Sequence, residues 1–350
     1  MRGKRSWAVV ALAAAVIWLC NGASIASAKT LKMATSWGGG PHLEDLAKGF
    51  AKKAKFLTNG EIEFEVFPGG TLGSPLKVTE TVRNGVADAG HHWSGYDWGT
   101  DKTAVLFGGY AGSMPEEHYL HWLFVGGGSE MWMQWRLEKH GVVAFPCGTH
   151  SDEVFMHSRK RIQTLEDFKG IKLRTSGAWA EIAQTLGAST VVLPGAEVYP
   201  ALERGVVDAI EWATPWINER VGFHKIAKYV ILPGLHQASS SQECVFRKDV
   251  WDGFTDRQRE LLILAGKMTS LDAFMMFNDG DVEALRTFQK AGNELVIVDD
   301  AFKQAKEKAT NAWIDKTKKE LGGWFAKVVD SQRAYYEKWS TASLYRSEIR

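Results

Sequence analysis

The sequence predicts an α/β protein built as two domains, on three observations. Residues 169–216 alternate strand and helix character with very short connections: 171–174, 191–193 and 207–210 read as strands, 179–186 and 196–204 as helices. That β-α-β-α-β order is the pattern of a parallel sheet wrapped by helices. Residues 31–90 hold a second set of such elements, and 239–246 read as a strand returning to it. From 256 to about 292 the apolar positions keep a helical period, long enough for one helix to brace both domains.

The chain begins with an export signal. Arg2, Lys4 and Arg5 precede an apolar run at 7–19, and Ala26-Ser27-Ala28 offers an A-x-A cleavage site, so residues 1–28 read as a secretory signal peptide. The run is too short to span a bilayer comfortably, and no later stretch has transmembrane character. These features predict a periplasmic protein with no direct membrane insertion once the signal is removed. The net charge of +1 falls to −2 when the three signal-peptide cations are lost. A nearly neutral chain gives no electrostatic case for nucleic acid. Of the cysteines that remain, Cys147 and Cys244, an oxidising compartment permits one disulfide. Their wide separation favours two small buried hydrophobes instead.

In the mature chain, 31–36 form a strand that opens into the loop Trp37-Gly38-Gly39-Gly40, where glycines let a backbone approach a ligand. Pro41 starts a helix with apolar spacing to Leu57, and 62–67 alternate as a strand. A helix at 75–84 leads to a strand at 86–90 that delivers His91, His92 and Trp93. Neighbours leaving a strand point to opposite sides, so the two histidines are a weak metal signal. Helices at 115–124 and 129–139 flank Gly126-Gly127-Gly128, which lacks the Gly-Lys-Ser/Thr of a phosphate loop; no nucleotide is implied. A strand at 142–146 ends in a polar crossing. The first domain is placed at 29–152 and the second at 153–238. Residues 239–350 return to the first, then supply the long helix and terminal helices. Thr164 and Asp167 have capping-box spacing.

Ligands of parallel sheets bind at the carboxyl ends of the strands. Arg174 and the pair Glu211-Trp212 stand at such ends, and an arginine there is a fork for a carboxylate. His91, His92 and His236 read as hydrogen-bonding loop or core residues. No serine lies in GxSxG and no HExxH is present, which speaks against an enzyme.

The phrases FPGGTLGSPLKVTETVRNGVADAG, RIQTLEDFKGIKLRTSG, LGASTVVLPGAEVYPALERGVVDAIEWATPW and HKIAKYVILPGLHQ cover much of the mature chain in this order. Together they resemble the DctP-type solute-binding subunits of tripartite ATP-independent periplasmic (TRAP) transporters. The third and fourth are most similar to the branch that binds 2-oxo and 2-hydroxy monocarboxylates. The resemblance implies a two-domain periplasmic-binding-protein fold with a ligand cleft between domains and a long bracing helix. It also implies capture of a small organic carboxylate by hinge closure and delivery to TRAP membrane subunits, a secondary transport. In that branch the position of Arg174 grips the carboxylate. Positions matching Glu211, the Trp212 backbone carbonyl and Glu243 hold a Ca2+ or Na+ that bridges the substrate.

One departure bears on the ligand. Glu153 stands where that branch often carries glutamine; a third carboxylate would favour calcium over sodium, or accept from a hydroxyl or amine of a different ligand. Trp179 stands where smaller residues are common. With Trp212, Trp216, Trp93 and Trp37 it would narrow the cleft or stack on an aromatic acid. Two alternatives stay open: an aromatic or other carboxylate in the same fold, and a periplasmic enzyme using Glu211 and Glu243 as an acid–base pair.

Overall fold

The computed structural model describes residues 29–344 and Arg346; the predicted signal peptide lies outside them. Among the described residues no helix is long and apolar enough to cross a membrane. The first sheet contains β1 (Lys29–Thr35), β2 (Ile62–Phe67), β3 (Ala89–Trp93), β4 (Val142–His150) and β10 (Ser240–Arg247), in the order β2-β1-β3-β10-β4. Strands β1, β2 and β3 run parallel, and β10 is antiparallel to both of its neighbours. The second sheet holds β5 (Met156–Ser158), β6 (Lys172–Arg174), β7 (Ser189–Val191), β8 (Ala209–Ile210), β9 (Tyr229–Leu232) and β11 (Glu294–Ile297), in the order β11-β9-β5-β8-β6-β7. Here β6 is parallel to β7 and β8, while β5 is antiparallel to β8 and β9.

The β-α-β-α-β reading of the second sheet therefore holds, with helices Ala178–Thr185 and Gly195–Glu203 between its strands. Strand β7 ends two residues earlier than the sequence suggests, because Leu193 turns inward and gives its carbonyl to Arg174. A helix at Pro215–Val221 follows β8, with Pro215 at its first turn. The predicted capping box at Thr164 and Asp167 is present.

Each sheet thus has one reversed strand, β10 or β5. Each reversed strand begins just after the chain has crossed from the other sheet. Their amino ends therefore meet the carboxyl ends of β1, β3, β4, β6 and β8 in one place.

A single helix of 35 residues, Asp256–Lys290, runs past both sheets, its start fixed by a capping box of Thr255 and Gln258. Its buried face, Leu262, Ala265, Thr269, Ala273, Phe277, Ala284 and Phe288, keeps three- and four-residue spacing. It packs on β4 and helix Lys48–Leu57 on one side, and on helix Pro215–Val221 and β11 on the other. Of segment 239–350, β10 joins the first sheet, whereas β11 pairs with β9 in the second.

Cys147 and Cys244 form a disulfide, which corrects the expectation of two separate thiols. Strands β4 and β10 are neighbours, and the two Cα atoms stand 5.4 Å apart, within the span of a disulfide. Separation along the chain carried no trace of this pairing.

His157 on β5 is fully buried among Phe223 and Phe288, and neither ring nitrogen has a hydrogen-bond partner. Burial, with a smaller push from His224, lowers its pKa to about 3. The unfolded chain takes up a proton at this histidine below about 6.5, while the folded chain resists it until about 3. Stability from this group is thus present above pH 6.5 and lost as pH falls toward 3. His157→Phe is expected to reduce the loss of Tm between pH 7 and pH 4.5, measured by thermal melts; an unchanged slope would refute this source of acid lability.

Candidate functional site

Strand ends from both sheets line one shared cavity. On the second-sheet side, β6 delivers Arg174, which is only 1% exposed. Its Nε and one terminal nitrogen donate to the Leu193 carbonyl at 3.3 and 2.8 Å. The other terminal nitrogen donates to the Glu211 carbonyl at 3.0 Å, with a Glu211 carboxylate oxygen at 3.4 Å. A guanidinium carries five N–H groups. These bonds commit four of the five and leave one N–H, on the terminal nitrogen that donates to Leu193. Tyr96 lines the cavity beside it; burial raises its pKa, against the charge of Arg174. The Trp212 ring lies 5.2 Å from the guanidinium carbon. Gly195 permits that packing, since a Cβ there would sit 2.5 Å from the Trp212 ring.

Beside Arg174 is a cluster of two carboxylates and an imidazole. Glu211 Oε1 accepts from the Ser176 backbone N–H at 3.0 Å. Glu153 Oε1 accepts from the Gln237 amide at 2.8 Å, and its Oε2 lies 3.0 Å from His236 Nε2. His236 Nε2 is also 3.7 Å from Glu211 Oε2. Gly234 lets the His236 loop pass closely, because a Cβ would meet the Glu153 carbonyl oxygen at 2.0 Å. Burial alone would push the His236 pKa down, but hydrogen bonds and charge from Glu153 and Glu211 outweigh it and raise the pKa to about 9. Burial raises Glu153 to about 7, against the pull of His236. Burial also opposes the charge on Glu211, yet His236 and Arg174 hold it below the usual carboxylate range.

The first-sheet wall is aromatic and neutral. Trp37 donates its indole N–H to His91 Nδ1 at 2.8 Å, and His91 Nε2 in turn donates to the Cys147 carbonyl at 2.9 Å. That chain fixes the His91 tautomer and the pose of Trp37. Trp93 is anchored by its indole N–H on the Gly108 carbonyl at 2.7 Å. His42 stacks on Trp37 with ring centroids 4.4 Å apart, and His150 closes β4 beside it.

Of the residues singled out in the sequence, Arg174, Glu153, Glu211, Trp212, Trp37 and Trp93 line this cavity. Trp179, Trp216 and Glu243 do not, which corrects their expected roles. Trp179 packs behind His236 among Phe155 and Phe168. Trp216 stacks on Phe277 of the long helix at 5.1 Å. Glu243 fails by strand parity: on β10 it points away from the cavity and its neighbour Gln242 points in. The Glu243 carboxylate is held instead by Arg136, His92 and the Trp132 indole N–H. Both histidines of the His91-His92 pair are bound within the protein, one on each face of β3. Sequence reasoning missed His42, His150 and Gln237 at the cavity and set His236 aside. The phrase VILPGLHQ, already noted, was the available signal for His236 and Gln237.

Residues 33–320 match the description bacterial extracellular solute-binding protein, family 7 (DctP). A monocarboxylate 2-oxoacid-binding periplasmic protein of Nostoc sp. is 27% identical over 79% of this chain and 76% of its own length. A TRAP solute-binding protein of Pseudoalteromonas atlantica, solved with sodium and pyruvate, is 26% identical, with a TM-score of 0.84 over 92% of this chain and 100% of that one. One from Bordetella bronchiseptica, solved with calcium and picolinate, has a TM-score of 0.85 at 24% identity, covering 89% of this chain and 93% of that one, and shares the fold. Two sheets with a cavity between them, a long helix along both and these likenesses lead to one assignment: the chain belongs to the DctP family of extracellular solute-binding proteins.

Proposed function

We propose that the protein captures a small organic carboxylate in the periplasm as the solute-binding subunit of a TRAP transporter, and passes it unchanged to the membrane subunits. The observation that carries this is Arg174, a buried cation on the cavity wall whose guanidinium is fixed by the carbonyls of Leu193 and Glu211. Contacts from both sheets to one ligand would stabilise a closed form over an open one, which is how such a protein converts binding into a signal for its partner. The relatives named for 2-oxoacids and pyruvate support a monocarboxylate. An aromatic acid gains support from Trp37, Trp93 and Trp212 around the cavity and from the picolinate of the Bordetella protein. The enzyme alternative loses its proposed pair, because Glu243 does not reach the cavity that Glu211 faces.

The donor set also suits a cation. Ligand atoms of Glu153, Glu211 and His236 all lie within 4.8 Å of one another, so a cation between the carboxylates would displace the His236 proton that now neutralises them. Glu153 and Glu211 would hold a Ca2+ or Na+ through carboxylate oxygens, with Trp212 alongside; Glu243 is too far into the core to join them. A cation there would draw in the ligand's carboxylate and a neighbouring oxygen.

A thermal-shift screen of pyruvate, lactate, branched 2-oxoacids and aromatic acids tests the reading, run after chelation and again with calcium or sodium restored. At least one acid is expected to raise Tm by several degrees and to be recovered chemically intact. Recovery of an altered product, or no stabilisation by any carboxylate, would overturn it. Equal shifts with and without metal would remove the cation alone.

A further inference from the structure

We infer that the β-bulge closed by the Cys147–Cys244 disulfide is a positioning element of the binding site: it sets Trp37 and His150, two rings of the first-sheet wall, so that ligand affinity depends on the bridge. The inference rests on the carboxylate reading above. Along β4 and β10 the pairing is regular from Arg247 opposite Val142 to Glu243 opposite Pro146. It resumes with Ser241 opposite Thr149 and Ser240 opposite His150. Cys147 and Gly148 therefore stand opposite the single residue Gln242, which makes a β-bulge in β4. Gly148 has φ +141°, a conformation that residues with a side chain rarely adopt.

The extra residue changes which side chains of β4 reach the cavity. Directly opposed residues share a face, and faces alternate along a strand. Before the bulge, Val143, Phe145 and Cys147 lie on the face they share with Cys244 and Phe246. An unbroken strand would carry Thr149 on that face and turn His150 away. The bulge reverses this. His150 lies with Ser240 and Gln242 at the cavity, and Thr149 donates its hydroxyl to the Ser270 carbonyl of the long helix at 3.0 Å.

The bulge also supplies the anchor for Trp37. A bulged residue leaves the ladder, and the Cys147 carbonyl accepts from His91 Nε2 at 2.9 Å across the intervening strand β10. His91 Nδ1 in turn accepts from the Trp37 indole at 2.8 Å. The position of one backbone carbonyl thus sets a ring of the cavity wall. Three contacts hold the bulge itself. The disulfide ties Cys147 to β10, the Ser241 hydroxyl donates to the Gly148 carbonyl at 2.9 Å, and the Gly148 N–H donates to the Ser270 hydroxyl at 2.9 Å. Only the first is covalent. Both cysteines are fully buried and neither lines the cavity, so the bridge acts on the ligand through this backbone.

Calorimetric titration with pyruvate, lactate and picolinate, run well below the lowest Tm, tests this on the wild-type chain and on a double variant carrying Cys147→Ala and Cys244→Ala. The double variant is expected to bind about 10-fold or more weakly, the size of loss that follows when groups supporting a site are removed. Glu243→Gln, on the same strand but outside the cavity, controls for lost stability: its Tm falls while its affinity stays at the wild-type value. A folded double variant with wild-type affinity overturns the inference, and so does a matching loss in Glu243→Gln. Where the double variant does not fold, Gly148→Ala carries the test, since φ +141° opposes any side chain and a Cβ would stand 3.0 Å from Gln242 Oε1. It is expected to lose affinity likewise, and wild-type binding by it would be equally fatal. The Trp37 indole gives a readout that needs no ligand. Its N–H resonance, identified by its loss in Trp37→Phe, is expected to exchange slowly with solvent in the wild type and in Glu243→Gln, and faster without the bridge; unchanged exchange also overturns the inference. A wild type that binds none of the three acids removes the carboxylate reading instead, and Trp37 exchange then decides alone whether the bridge sets that ring.

Discussion

Arg174→Ala is expected to weaken carboxylate binding by at least about 100-fold and to lower the Tm of the ligand-free protein as well. The first effect follows from the guanidinium's charge and its remaining N–H, which offers a charge-assisted hydrogen bond worth about 1.5–3 kcal/mol. The second follows from the inner edge. Arg174 ties the Leu193 carbonyl to the Glu211 carbonyl across the ends of β6 and β8, and alanine would leave both acceptors and the Glu211 carboxylate without that partner. The resemblance implies a carboxylate-gripping arginine; the structure makes it a brace as well. Arg174→Lys separates the two. It keeps a charge but has no fork, so it should recover some stability and little affinity. Calorimetric titration and thermal melts on the same preparations read both effects. Near-native affinity in Arg174→Ala would refute the assignment.

The fold was legible in the sequence wherever local pattern decides it. Strand–helix alternation at 169–216 needs only period and turn spacing, and the returning strand at 239–246 ends in the β-favouring Cys244-Val245-Phe246. The site was legible in part for the same reason: Arg174, Glu211 and Trp212 leave parallel strands at their carboxyl ends, which topology alone sends to a cleft. What failed depends on register. In Ser240–Arg247 the alternation permits either Gln242 or Glu243 to face inward, and only pairing with β3 and β4 chooses. The same pairing brings Cys147 to Cys244. His42 and His150 were hidden differently. Each sits in a polar or loop context along the chain, and its significance arises from residues distant in sequence: Trp212 for His42, and the opposite wall of the cavity for His150.

Glu243→Ala is expected to cost about 3–5 kcal/mol of stability while leaving ligand and cation affinity of the folded protein unchanged. Glu243 is fully buried, accepts from the Trp132 indole at 2.7 Å and from Arg136 Nε at 3.0 Å, and lies 2.8 Å from His92. Arg136 is equally buried, pairs with Asp97 at 2.8 Å and stacks on Trp135 at 4.4 Å. Removing the carboxylate strands that guanidinium in the core with Asp97 as its remaining carboxylate partner, and an uncompensated buried charge is among the costliest defects a fold can carry. Burial would raise the Glu243 pKa, but Arg136 and His92 hold it near 2. Its contribution is therefore present above about pH 4.5 and is lost as pH falls through about 2. Glu243→Gln keeps the shape and part of the hydrogen bonding, so it should fall between wild type and alanine and remain folded for titration. A metal-ligand role demands the reverse pattern, with cation affinity lost and Tm nearly intact. Chemical denaturation of both variants, paired with calcium titration of Glu243→Gln, therefore distinguishes a carboxylate that holds the first sheet to helix Gly128–His140 from one that serves the cavity.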